Sequence, residues 1–284
     1  MKILAYDLDG ILSAYNYIGG AMSLINSNVK NYDAWLISNF SYIEWRFFWH
    51  NMDFNQHRLS KWEGINCKAY RCFNKKTLLD IIKKGIDSNK YVYLFVNEFY
   101  MDYSESYLLN YFPHDMYVIG YDDLENEFTV LAYDITKKMT KRRVPYEDLQ
   151  IAYMTNLKSY KILHLWIDEK YDFNYIYYER ISKNLSNYNK RKSKHVYLPM
   201  VKRLRKNAKL KKTIDLTAIS IFIEHKYVLT KYNHLFNNIY KKAISIKLLL
   251  MKYNLVIQQQ IITRCIELLK DIEIEENKIL TNLI

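Results

Sequence analysis

His114 and Asp134 bound the stretch of the sequence best suited to chemistry, HDMYVIGYDDLENEFTVLAYD. Histidine changes charge near neutral pH, so it can take and return a proton under physiological conditions. It acts as a general base when a carboxylate holds its other ring nitrogen, and Asp134 is the candidate holder. The runs DMYVIGY and EFTVLAY read as two antiparallel strands joined by an acidic turn over residues 122–127. In such a hairpin the entrance of one strand lies beside the exit of the next, which brings position 114 toward position 134. The bland alternative is a surface histidine and an ordinary turn aspartate.

A base of this kind needs a nucleophile. No serine or cysteine stands in a G-x-S-x-G elbow. Cys67 lies in NCKAYRC, with no helix start beside it. Ser13 and Ala14 stand at the entrance of a helix expected over residues 16–27, in ILSAYNYIGGAMSLI. A thiol there would be acidified by the helix N-terminus and would face its unpaired N–H groups. The chain has that local architecture but carries a methyl group at Ala14. Asn97, ending the run YVYLFVN, is either a donor to a developing oxyanion or a structural residue.

The elements that must position these residues follow from periodicity. Ile18, Met22 and Ile25 fall at helical spacing, and Gly19 and Gly20 permit another backbone or ring to approach closely. A second helix is expected over 74–87, with Leu78, Ile81 and Ile82 on one face, lysines on the other, and Gly85 ending it. Residues 91–97, 115–121, 127–133, 137–144 and 160–167 read as strands, and residues 1–7 as a short strand or extended lead. Gly120 marks a place where a side chain would collide with a neighbour. Pro145 precedes a helix YEDLQIAYM with acids in its first turn. Residues 31–48 are dense in aromatics and fit helix or strand, and 46–62 reads as irregular. Residues 185–194 read as a polar link. Beyond Met200 the apolar spacing is helical over 217–236, 239–253 and 256–272.

The length of 284 residues allows one large or two modest domains, and half the residues are apolar, as in a globular chain. Cys67, Cys72 and Cys265 are odd in number and irregularly spaced, against a disulfide framework. The sequence shows neither a secretory leader nor an apolar run long enough to span a membrane, so a reducing cytoplasm is the expected location. The net charge is +12, and the stretch 190–212 alone holds eleven Lys or Arg and no acid. That patch is either a solvated charged linker or a surface for an anionic partner. It lacks zinc spacing and a recognition-helix pattern, so nucleic acid is the least favoured partner.

HDMYVIGYDDLENEFTVLAYD resembles the histidine-to-aspartate segment of papain-like enzymes of the bacteriocin-leader-peptidase type. It is closer still to the N-terminal domain of butirosin-biosynthesis acyltransferases. In those families a cysteine opens the first helix, and Ala14 falls at that position. His114 and Asp134 match the other two catalytic roles, and Gly120, Tyr121 and Asp122 match the turn between them. The resemblance spans residues 7–153. It implies an α+β, papain-like fold with an antiparallel sheet and an N-terminal helix. The catalytic domain would run over 1–189, followed by a helical extension over 190–284. It further implies acyl transfer from a phosphopantetheine thioester on an acidic acyl or peptidyl carrier protein to a small amine, forming an amide, with no cofactor bound directly. Such enzymes serve specialised-metabolite pathways, the amide-forming step of closthioamide assembly among them. The departure at Ala14 has two explanations, a natural pseudoenzyme or an alanine substituted for a native cysteine. The second is favoured because the histidine, the aspartate and the glycine-rich helix entrance remain. The rival functions are a leader or small-peptide cysteine peptidase and a non-catalytic binding protein.

Overall fold

A computed structural model describes residues 1–46, 51–54, 59, 62–135 and 138–283. The chain divides into two compact units, Met1–Lys30 with Arg58–Asp172, and Asn31–His57 with Phe173–Ile284. It opens in the first unit with β1 (Lys2–Ile3) and α1 (Asn16–Asn26). It crosses to the second for α2 (Tyr32–Phe40), β2 (Ile43–Arg46) and β3 (Asn51–Phe54). Back in the first unit come β4 (Ile65–Arg71), α3 (Lys75–Asp87), β5 (Tyr91–Asn97), β6 (Pro113–Asp122), β7 (Glu127–Tyr133), β8 (Met139–Pro145), α4 (Tyr146–Met154) and β9 (Lys161–Ile167). The second unit is completed by α5 (Tyr178–Lys192), α6 (Leu198–Lys209), α7 (Thr217–Tyr232), α8 (Asn237–Val256) and α9 (Gln259–Leu283). The protein is therefore α+β. Among the described residues no helix is long and apolar enough to cross a membrane.

The division differs from the expected boundary at 189/190. That point falls inside α5, and α2, β2 and β3 group with the C-terminal helices. The reason lies in side-chain packing. Trp35 and Phe40 of α2 are buried, and Phe40 meets Phe54 of β3 edge-on at 5.2 Å. His225 of α7 bonds the Ser41 carbonyl at the end of α2, with 3.1 Å between the atoms. The polar link expected over 185–194 is likewise mostly helix. Its charges are amphipathic, with Ile181, Leu185 and Tyr188 making the buried stripe of α5. Of the irregular packing expected over 46–62, residues 51–54 are a strand. Residues 47–50, 55–58, 60 and 61 lie outside the described set, as does Lys137 at the start of another expected strand.

The first unit is built on a seven-stranded antiparallel sheet in the order β4-β9-β5-β6-β7-β8, with β1 also paired to β6. Alternation along the strands gives the sheet two faces. Val92, Leu94, Val96, Met116 and Val118 join Leu78 and Ile82 of α3 and Leu149 and Tyr153 of α4 in one core. Each such fully buried aliphatic side chain contributes about 1.5–3 kcal/mol. Tyr117 points to the other face, where α1 lies. A Cβ on Gly20 of α1 would come within 2.1 Å of the Tyr117 ring, so only glycine lets the helix sit this close. Gly120 answers a similar demand, since a Cβ there would be 2.5 Å from the Lys2 carbonyl oxygen. Gly85 does not end α3 as expected. It sits within the helix, where a Cβ would fall 2.6 Å from Val92, and the left-handed turn comes later, at Asn89. Asn74 caps the start of α3, its Oδ1 accepting from Thr77 N at 2.8 Å.

Candidate active site

The imidazole of His114 stands near the start of β6, where the sheet opens. The β6–β7 ladder runs from Asp122↔Glu127 to Tyr117↔Leu131, and no further pairs are made toward His114. On the other side β5 stays paired through Val96↔His114 and Asn97↔Pro113. The chain then turns through the short 3-10 helix Glu98–Tyr100, which carries the Glu98 carboxylate to the ring. His114 Nδ1 lies 3.0 Å from Glu98 Oε1. Ser104 Oγ donates to the other oxygen at 2.7 Å, so both carboxylate oxygens are engaged. Glu98 is 5% exposed, whereas the His114 side chain retains 28%.

This geometry fixes the tautomer. A carboxylate oxygen accepts, so Nδ1 carries the hydrogen and the neutral ring keeps its lone pair on Nε2. Nε2 lies 3.9 Å from Asp115 Oδ1. Burial alone would lower the pKa of His114. The hydrogen bond to Glu98 and the charges of Asp115 and Glu98 outweigh it, and the net shift is upward. Burial raises the Asp115 carboxyl in turn, against the charge of His114. Phe112 stacks on the ring at 5.5 Å, and Tyr133 lies 6.3 Å away. The arrangement is a histidine held by one carboxylate through Nδ1, with a basic nitrogen on the far side.

The first helix is fastened to β6 on the Tyr117 face of the sheet. Asn16, the first residue of α1, donates through Nδ2 to the Asp115 carbonyl. Tyr117 donates through its hydroxyl to the Tyr17 carbonyl. Together with the Gly20–Tyr117 contact these bonds set the opening turn of α1 against the strand that carries His114. Ala14 is half-buried and immediately precedes Tyr15, the N-cap of that helix.

The expected carboxylate partner is corrected. Asp134 does not hold His114: its Oδ2 accepts from Arg142 at 2.8 Å, and its backbone N–H bonds Lys138. β7 follows β8 as far as Tyr133↔Met139 and has already left β6, which carries Asp134 to the β8 side. Glu98, on the opposite neighbour of β6, takes the role. Asn97 is also spent structurally, because its Oδ1 accepts from the N–H groups of Phe99 and Phe112 at 3.2 and 3.1 Å. Cys67 is a strand residue of β4 paired with Leu165, and burial pushes its thiol pKa up, the reverse of activation. Among the described residues no group of three His, Cys, Asp or Glu side chains is placed to hold a metal ion.

The basic stretch of the second unit is partly consumed by the fold. Lys192 is buried against Asn189, and Arg191 and Arg203 lie 3.7 and 3.5 Å from Glu44 and Asp215. Lys202, Arg205, Lys206 and Lys209 of α6 remain exposed. No protein-family model matches the chain, and no curated protein matches it as a relative.

Proposed function

We propose that the first unit is a papain-like acyl-transfer site in which His114, held by Glu98, withdraws the proton of the group that attacks a thioester-borne acyl chain. The observation that carries this reading is the 3.0 Å contact between Nδ1 and a buried carboxylate, which leaves the Nε2 lone pair outside any hydrogen bond among the described residues. Ala14 provides no thiol, so the chain as it stands forms no acyl-enzyme at that position. The acceptor amine is then itself the nucleophile. Its nitrogen bonds to the acyl carbon, the carbon–sulfur bond breaks, and Nε2 takes the amine proton and returns it to the leaving thiolate. With cysteine at that position, the same base would first serve the protein thiol. The net charge of +12 fits an acidic carrier protein as the bearer of the donor.

The test is mass spectrometry of the chain and of its Ala14→Cys variant, each mixed with an acyl-phosphopantetheine thioester and a small amine. The expected results are amide from both and a covalent acyl adduct on the variant, each lost on adding His114→Ala. Neither adduct nor amide, with the thioester still bound, would support the second reading. That reading, favoured by Ala14 itself, is a pocket that binds without chemistry.

A further inference from the structure

The first unit carries an open cleft of about 340 Å³ whose walls include Arg71, Phe73, Lys158, Tyr160 and Lys161. Arg71 and Lys161 are directly opposed across β4 and β9. Like charges in that position destabilise a strand pair. Neither of them, nor Lys158, forms an ion pair with a carboxylate among the described residues. The frame that holds the cations is nonetheless firm. Asn156 donates to the carbonyls of Phe95 and Ser159 and accepts from Lys158 N at 2.9 Å. Leu157 N donates to the Tyr111 hydroxyl at 2.9 Å, and Lys161 N to Ser159 Oγ at 3.1 Å. Three cations thus line one opening with no carboxylate partner among the described residues. Beside them Phe73 is left 68% exposed, its ring 5.6 Å from that of Tyr160.

The cleft and the dyad lie at the same end of the sheet, with Arg71 and Lys161 alternating onto the Asp115 face and His114 onto the other. Leu94 pairs with Ile162 on one side and Met116 on the other, so Lys161 and Asp115 stand at one level, two strands apart. That is a backbone separation of roughly 10 Å, and Arg71 is one strand further out, at roughly 14 Å. The Lys158 ammonium is 4.6 Å from the ring of Phe95, itself the cross-strand partner of Asp115. Its charge reaches both His114 and Asp115 and opposes the upward shift of each.

We infer that this cleft is the phosphate subsite of the acyl donor. Arg71, Lys158 and Lys161 hold the phosphate of a phosphopantetheine arm, Phe73 packs against the branched carbons next to it, and the arm passes round the end of β9 and β5 to His114. Arg and Lys are the side chains suited to a phosphate, through charge and through multiple N–H donors. An extended pantetheine arm is longer than the separation to be crossed. This inference rests on the thioester reading of the dyad, and the same phosphate is found on a carrier protein and in coenzyme A.

The experiment is calorimetric titration of the unmodified chain with phosphopantetheine, pantetheine, coenzyme A and inorganic phosphate. Phosphopantetheine is expected to bind about tenfold or more tightly than pantetheine. Lys161→Glu and Arg71→Glu, both at exposed positions, should each draw that ratio toward one without changing pantetheine binding. Inorganic phosphate should weaken phosphopantetheine and not pantetheine. Coenzyme A binding as tightly as the free arm supports a donor read from solution. Coenzyme A binding more weakly supports an arm presented by a carrier. Equal affinities for pantetheine and phosphopantetheine, or no binding of either, would overturn the subsite. The thiol of the Ala14→Cys variant reports on the dyad separately. An acidified thiol without phosphate preference sinks the subsite alone, whereas phosphate preference with an ordinary thiol sinks the acyl-transfer reading and leaves an anion site.

Discussion

Each unit of this protein builds a basic side chain against a carboxylate, and the two do so to opposite effect. In the second unit Lys226 Nζ lies 2.6 Å from Glu276 Oε1, and both side chains are 0% exposed. The hydroxyls of Tyr188 and Tyr197 donate to Glu276 Oε2 at 2.9 and 2.7 Å. Lys226 also donates to the Tyr188 hydroxyl and, at 3.4 Å, to His225 Nδ1, the nitrogen left free by the bond from His225 Nε2 to the Ser41 carbonyl. A five-residue π-helical turn, Ser193–Tyr197, sits between α5 and α6 and ends at Tyr197. Nearly every donor and acceptor is consumed. In the first unit Glu98 is equally engaged, but His114 keeps one ring nitrogen outside any hydrogen bond among the described residues. A sealed pair specifies packing. A pair with one open atom can exchange a proton.

The largest effect that separates them is the loss of one partner of the sealed pair. Glu276→Ala leaves the buried Lys226 without its carboxylate and should destabilise the protein by about 3–5 kcal/mol in urea titration. The double change Lys226→Met with Glu276→Leu should recover most of that. The same site has a pH signature. Burial pushes Lys226 down to about 8, against the pull of Glu276. Below that pH the lysine is charged in folded and unfolded chains alike. Between about 8 and 10 the folded chain releases its proton first, so the contribution of Lys226 makes stability rise with pH. Lys226→Met should abolish that rise in urea midpoints measured across the window.

On the open side the largest expected effect is mechanical. Gly20→Ala drives a methyl group into the Tyr117 ring and should cost about 1–3 kcal/mol by thermal or urea unfolding, because α1 must back away from β6. The smaller effect is electrostatic. Glu98→Gln should cost about 1 kcal/mol and lower the His114 pKa, read by proton NMR of the imidazole. His114 is raised when folded, so its contribution is fully present below the unfolded value near 6.5 and fades as pH rises through the folded value. The stability difference between the protein and Glu98→Gln should shrink in that direction.

Much of the first unit was legible in the sequence because its signals are local. The alternation in residues 91–97 and 127–133, the acidic turn between β6 and β7, the Pro145 helix start and the Gly19–Gly20 wedge each depend on neighbours a few positions away. The carboxylate partner was not, although the rule used to choose Asp134 also pointed to Glu98. β6 has two antiparallel neighbours, and the exit of β5 lies beside the entrance of β6 just as the exit of β7 could have done. Which neighbour keeps its ladder to the end depends on the bulge between Val118 and Gly120 and on β8 drawing β7 away, and neither is written in the spacing. The strand β4 and the grouping of α2 with the C-terminal helices depend on contacts far apart in sequence, such as His225 with Ser41. The buried Lys192 and Lys226 carry no signal at all in a sequence so rich in lysine.

The central proposal is that His114, held by Glu98, serves as the base for a group at position 14, and the thiol pKa of the Ala14→Cys variant tests it most directly, through the pH dependence of its alkylation by iodoacetamide. The account predicts a thiol well below the ordinary value of about 8.5, returning toward it when His114→Ala or Gly20→Ala is added. An ordinary thiol that ignores both changes would contradict it.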